Sequence, residues 1–278
     1  MHHRAHRLAA LALALAAAPA TGCFDAGATN VEMRAAVNEA VSQGQAQAVE
    51  NEIVEITTSF TIGAGLQEIA QEIHDFAQSQ VPCSTVTVDA ATNTVTIDFG
   101  ELGDACVYNG HTYAGVVTVT VEDEGGAVVV DHTYAELTNG EVTLSGTKKV
   151  TWEDQSRRIV SDFEITRDGA TIDATSDRLQ TLLDPAAGLA GGIEINGQRH
   201  WVGAKGEWDL QIDGVEVRWQ DPVPQAGTYT LENPQDKAIT MSFARLDEDT
   251  IEVTVDGGRR SRIYHVTAAG AVDDVGEG

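Results

Sequence analysis

Eight histidines and 43 carboxylates are the residues of this chain that could do acid–base or metal chemistry. Their spacing decides how much of it is on offer. His2, His3 and His6 cluster in a segment read below as a removable leader and are set aside. His74 falls on a helical pattern beside an apolar stripe, where a satisfied boundary histidine is expected. His111, His132, His200 and His265 remain, and none stands in H-E-x-x-H or another zinc spacing. Asp131 and His132 are neighbours on a strand pattern, so their side chains leave on opposite faces and form no local dyad. There is no G-x-S-x-G elbow and no β-lactamase-type set that joins S-x-x-K with S-D-N and K-T-G. Ser156 and Ser161 read as strand or turn residues. No catalytic residue is assigned, and no metal or cofactor is expected.

Acids bunch at Glu122-Asp123-Glu124 and at Asp247-Glu248-Asp249. Calcium takes several oxygen ligands, but neither run has EF-hand order, and both read as solvated hairpin tips. All four tryptophans lie between positions 152 and 219. Trp208 shares a strand face with Leu210 and Ile212, and Trp219 with Val215 and Val217, which is a packing pattern. Trp201 differs, because Arg199, His200 and Lys205 surround it. An aromatic ring beside cations could form a glycan platform or meet an anionic ligand. Trp201, Arg199 and Lys205 are therefore the candidate ligand contacts, with packing as the competing role for Trp201. Arg259, Arg260 and Arg262 form the densest basic group and could pair with local acids.

The net charge is −26. Removing the first 22 residues, which carry Arg4 and Arg7 and no acid, leaves 15 basic against 43 acidic residues, or −28. Such a surface repels nucleic-acid phosphates and anionic headgroups, so neither DNA, RNA nor a charge-driven membrane patch is an expected partner. Its simplest use is solubility through self-repulsion. At 278 residues, 42% apolar and 22% charged, the chain can bury a substantial core. Abundant Gly with recurring Val and Thr favours strands and turns.

The chain opens MHHRAHRLAALALALAAAPATGC. Arg4 and Arg7 give a positive start, Leu8 to Ala18 is apolar, and small residues follow. This is the layout of a secretory signal, too short to span a bilayer. Ala20-Thr21-Gly22-Cys23 resembles the lipobox of bacterial lipoproteins, with Ala20 in place of the usual Leu. The resemblance implies cleavage before Cys23, a diacylglycerol on its thiol and an acylated amine. Ordinary cleavage after Ala18-Pro19-Ala20 is the alternative. Two or more acyl chains hold a protein stably at a membrane, and residues 24–30 would serve as a tether.

Export meets an oxidising compartment, where Cys83 and Cys106 are expected to form a disulfide. Val86 and Val88 share one face of a first strand, and Val95, Ile97 and Phe99 share one face of a second. If Val86 pairs opposite Ile97, Cys83 lies near Gly100, and Gly100 and Gly103 let the chain fold back toward it. Without a C-x-x-C spacing the bridge reads as structural.

The elements that must carry these residues follow from periodicity. Residues 31–82 read as a helical hairpin. Thr29 and Glu32 form a capping box, and Val37, Val41 and Ala48 give a weak first stripe. Leu66, Ile69, Ile73, Phe76 and Ala77 give a clear second one that Pro82 stops. From 84 onward strands are expected at 84–89, 94–99, 112–122, 127–137, 141–152, 157–167, 170–176, 192–196, 199–203, 206–213, 215–220, 228–232, 238–245, 250–256 and 260–267. Asn-Gly and Asp-Gly steps separate many of them. The expected fold is mainly β, α+β overall: the hairpin, then a large antiparallel, twisted sheet or partly open barrel. Residues 83–178 form a first β lobe, 179–192 a connector and 193–267 a second lobe. Residues 268–278 read as a flexible acidic tail.

The run TVTVD, NTVTIDFG, Cys106, Asn109-Gly110 and later GTKKVTW resembles a group of uncharacterised bacterial envelope lipoproteins. That resemblance implies lipidation and a β-rich fold, and Phe24 after Cys23, in place of an acid, resembles the pattern of outer-membrane lipoproteins. It implies no activity. The expected role is a non-enzymatic structural or binding module held by lipid, with an envelope protein or glycan as partner. A carrier of lipid or another apolar ligand, and a hydrolase with an unrecognised site, are the alternatives.

Overall fold

The computed structural model describes residues 27–61, 63–153, 156–187, 191–218 and 221–278. The leader, Cys23 and Trp219 lie outside them. Helix α1 (Asn30–Thr57) opens on the expected capping box: Thr29 accepts from the Glu32 amide, and Glu32 accepts from the Thr29 amide at 2.6 Å. Helix α2 (Leu66–Gln80) buries Ile69, Ala70, Ile73 and Ala77 on one face. His74 sits at its boundary, 2.8 Å from Asp75.

Fifteen strands follow. They are β1 (Thr85–Asp89), β2 (Thr94–Asp98), β3 (Cys106–Tyr108), β4 (His111–Glu124), β5 (Ala127–Thr138), β6 (Val142–Glu153), β7 (Ser156–Arg167) and β8 (Ala170–Leu182). Then come β9 (Ile193–Gly203), β10 (Gly206–Val217), β11 (Ala226–Glu232), β12 (Ala238–Arg245), β13 (Thr250–Asp256), β14 (Ser261–Thr267) and β15 (Val272–Glu277). Each pairs antiparallel with its neighbour in sequence, except that β2 and β3 both pair with β4. The result is one large antiparallel sheet that is not closed into a barrel.

Val86 lies opposite Ile97, as the alternation required, and the chain folds back to bring Cys83 and Cys106 into a disulfide with Cα atoms 5.2 Å apart. Gly115 supplies the bend that lets β4 serve both β2 and β3: its φ is +96°, and it exchanges hydrogen bonds with Phe99 and Gly100.

Three expectations are corrected. Residues 179–192 do not divide two lobes, because β8 runs on to Leu182 and pairs with β9 from Asp173↔Val202 to Leu182↔Ile193. Asn196-Gly197 and Asp213-Gly214 are not hairpin turns. Each lies inside a long strand, where the sheet bulges between Ile212 and Val215 and Asn196 Oδ1 accepts from the Gly214 amide at 2.8 Å. The conformational freedom that suits Gly to a tight turn also suits it to a bulge. The acidic tail is not free: Val272–Glu277 forms the edge strand β15 against β14.

The two faces of the sheet differ sharply. On β7, Ile159, Ser161, Phe163 and Ile165 point inward and are buried, while Arg158, Asp162 and Glu164 face outward and are exposed. The inner face curls around α1, a spine about 42 Å long at 1.5 Å per residue. Its buried residues, from Met33 and Ala36 through Val49, Glu50, Ile53, Val54, Ile56 and Thr57, occupy more than one side of the helix. A helix walled on several sides has no single apolar stripe, which is why its sequence pattern was weak.

Candidate functional site

The inner face of β6 to β9 carries a row of cations. Strand alternation puts Lys148, Arg157, Arg178 and Arg199 in phase with buried Val150, Ile159, Ala174 and Trp201, so all four point at α1. Glu50 of α1 meets three of them. Its carboxylate lies 3.0 Å from Lys148 Nζ, 3.7 Å from Arg199 Nη2 and 3.8 Å from Arg178 Nη2. None of these side chains is more than 5% exposed. Burial works against the Glu50 charge, but the three cations together outweigh it and hold its pKa below the ordinary value. Burial lowers Lys148 to about 8 and Arg178 to about 10, each partly offset by Glu50. Arg157 is lowered to about 10 by burial and donates to Gln180 Oε1 at 2.9 Å.

Further polar links run the length of α1. Thr57 hydrogen-bonds His132 Nε2 at 2.7 Å, and His132 Nδ1 lies 3.2 Å from the Lys148 carbonyl. A carbonyl only accepts, so Nδ1 carries the proton, and the single Thr57 hydroxyl proton is shared between Nε2 and the Ile53 carbonyl, 2.7 Å from Oγ1. Burial, reinforced by Lys148, lowers His132 to about 3, so the ring is neutral. Tyr113 donates to Glu52, Arg167 donates to Ser42 at 3.3 Å, and Lys237 reaches Glu32 at 2.8 Å.

Beside the N-terminal half of α1 a groove of about 480 Å³ opens between the helix and β7 to β10, with Glu39, Arg167, Lys205 and Trp208 among its borders. Two of the three candidate ligand contacts meet here. Trp201 donates its indole N–H to Glu39 Oε1 at 3.0 Å, and Lys205 Nζ stands 4.0 Å from Glu39 Oε2. Trp201 is only 1% exposed and stacks on Trp208 with ring centres 6.1 Å apart, so its ring is packed and offers no open platform. Arg199, the third candidate, lies deeper. It borders a small cavity of about 30 Å³ behind Trp201, together with Gln43 and Tyr229.

A third cavity, of about 220 Å³, holds Glu52, Tyr113 and His111. Burial raises the Glu52 pKa, although the Tyr113 hydrogen bond opposes the rise. This is the nearest approach to an acid–base constellation, but its lining contains no Ser, Thr or Cys to act as nucleophile. Ser145 and Lys148 have S-x-x-K spacing, yet three residues along a strand place them on opposite faces. On the outer face, cross-strand pairing brings His200 Nδ1 to 2.9 Å from Asp209 Oδ1, with Glu207 3.9 Å away. Their ligand atoms fit within 4.8 Å of one another, the one such group of three among the described residues, and the two acids are exposed.

Sequence reasoning missed Glu50, Lys148 and Arg178, and weighed His132 only as a partner for Asp131. The signal was available for the strand residues, since each keeps the inward phase of its strand. Glu50 had no such signal, because α1 showed no clean stripe. The Gly203–Gly206 turn could likewise have placed His200 opposite Asp209. Comparison with protein-family models, with curated proteins and with solved structures finds no match for this chain.

Proposed function

We propose that the mature chain is an exported envelope lipoprotein, anchored through Cys23 at the outer membrane, that acts by binding rather than by catalysis. The observation that carries the binding reading is the groove beside α1, with an apolar floor and a few polar groups converging on it, Glu39, Arg167 and Lys205 among them. The joined Cys83–Cys106 pair supports an oxidising address, and the leader supports export. In sequence, α1 begins at Asn30, seven positions after Cys23, so the first described element after the proposed anchor is also the spine of the fold.

Two observations favour binding over the alternatives. The concave face of the sheet, where a lipid carrier would hold its cargo, is occupied by α1. The histidines are dispersed: His132 is buried against Thr57, whereas His200 and His265 pair with acids on the sheet surface. The partner we favour is an envelope protein or glycan that lays a small half-apolar group into the groove.

Intact-mass analysis of the protein purified from membranes tests the anchor. A chain beginning at Cys23 with acyl mass, lost from membranes on Cys23→Ser, is expected; an unmodified chain in the soluble fraction would refute it. Glu39→Gln and Lys205→Glu test the groove by pull-down of envelope fractions. Unchanged capture with both variants would remove the groove as the binding surface.

A further inference from the structure

The ionic cluster is unbalanced. Lys148, Arg178 and Arg199 all converge on Glu50 and stand within 4 Å of its carboxylate, giving three positive charges for one negative. Isolated buried charge is costly unless paired. All three guanidinium nitrogens of Arg178 are buried without a hydrogen-bond partner among the described residues. The small cavity of about 30 Å³ reaches this cluster at one member, Arg199. Arg199, 5% exposed, lines it, as does Tyr229, whose ring feels both Arg178 and Arg199. The remaining walls are mainly apolar, Leu210, Ile212, Leu231 and Met241 among them.

We propose that this cavity binds one halide-sized inorganic anion, held by the Arg199 guanidinium and the Tyr229 hydroxyl, which neutralises part of the surplus charge around Glu50. The size excludes larger anions: a cavity of this volume has room for one or two water-sized bodies, not for sulfate or phosphate. The chemistry of the lining also fits. A fixed guanidinium and a hydroxyl donor stand among apolar walls, where an anion–cation contact is screened far less than in water. Gln43, whose Oε1 is buried without a partner among the described residues, is also on the lining.

The test compares thermal unfolding in sodium chloride, sodium bromide and sodium gluconate at equal ionic strength. A halide at about a hundredfold excess over its Kd should raise Tm by roughly 5–10 °C above gluconate. Crystals grown in bromide should show one anomalous peak between Arg199 and Tyr229. Arg199→Gln should abolish both signals. Tyr229→Phe, nearly isosteric, should fold and weaken the halide response several-fold, while Arg158→Gln on the outer face should leave it intact. Equal Tm in all three salts, with water alone in the cavity, would overturn the proposal.

Discussion

Replacing Glu50 by Gln removes the one negative charge in a pocket that holds three positive ones while keeping the side chain's shape. At an effective dielectric of 20, charges 3.0 to 3.8 Å apart attract by about 4–6 kcal/mol per pair before desolvation. Most of that attraction offsets the cost of burying the groups. The net loss on deleting one partner of a buried pair is about 3–5 kcal/mol. Because Glu50 serves three cations, the loss should fall in the upper part of that range. Against a total stability of about 5–15 kcal/mol this is a large fraction. Equilibrium urea unfolding, followed by tryptophan fluorescence and by far-ultraviolet circular dichroism, measures it, provided the two probes coincide. The midpoint should drop sharply with the slope unchanged. Replacing the whole group by apolar residues of similar size, Glu50→Met with Lys148→Met, Arg178→Leu and Arg199→Leu, should recover most of the loss. A cost below about 1 kcal/mol for Glu50→Gln would mean that water reaches the cluster and that the reasoning from burial is wrong.

Gly44→Ala should destabilise even though Ala is about 1 kcal/mol the better helix former, because a Cβ there would stand 2.1 Å from the Pro222 carbonyl oxygen; a raised urea midpoint would contradict the close approach. Reducing the Cys83–Cys106 bridge, 23 residues apart, should cost about 3 kcal/mol by loop entropy, read as a lower midpoint in reductant. His132 sets a pH dependence: its folded pKa of about 3 lies below its ordinary value of 6.5, so between those values the unfolded chain binds a proton that the folded one does not. Its contribution is complete above pH 6.5 and declines as pH falls, by about 2 kcal/mol at pH 5. His132→Gln should flatten the slope of stability between pH 6.5 and 5, and parallel slopes for the two proteins would rule this role out.

Much of the fold could be read from alternation and punctuation. The Val86–Ile97 register, the disulfide, the Thr29–Glu32 cap and the long strands all follow from local rules that tertiary structure leaves intact. Errors arose where one residue type serves two purposes. Gly197 and Gly214 announced turns, but in the folded chain the same backbone freedom makes irregularities inside β9 and β10. The acid-rich end hid a strand because edge strands tolerate charge on both faces. The site was less legible. Trp201, Arg199 and Lys205 stood out as cations around a ring, and the structure sets all three beside cavities, though on two levels separated by the Trp201 ring itself. The partnership of Glu50 with Lys148, Arg178 and Arg199 joins residues about 100 to 150 positions apart. No local pattern encodes it, since only the winding of the sheet around α1 brings them together.

Hydrogen exchange on the intact chain tests that winding most directly. If α1 is the spine on which the sheet closes, the amides from Ala46 to Thr57 open only when the whole protein unfolds. Their exchange free energy should then equal the global stability from urea unfolding and should fall in step with it on Glu50→Gln. Exchange of these amides through a cheaper local opening, untouched by that substitution, would contradict a buried α1.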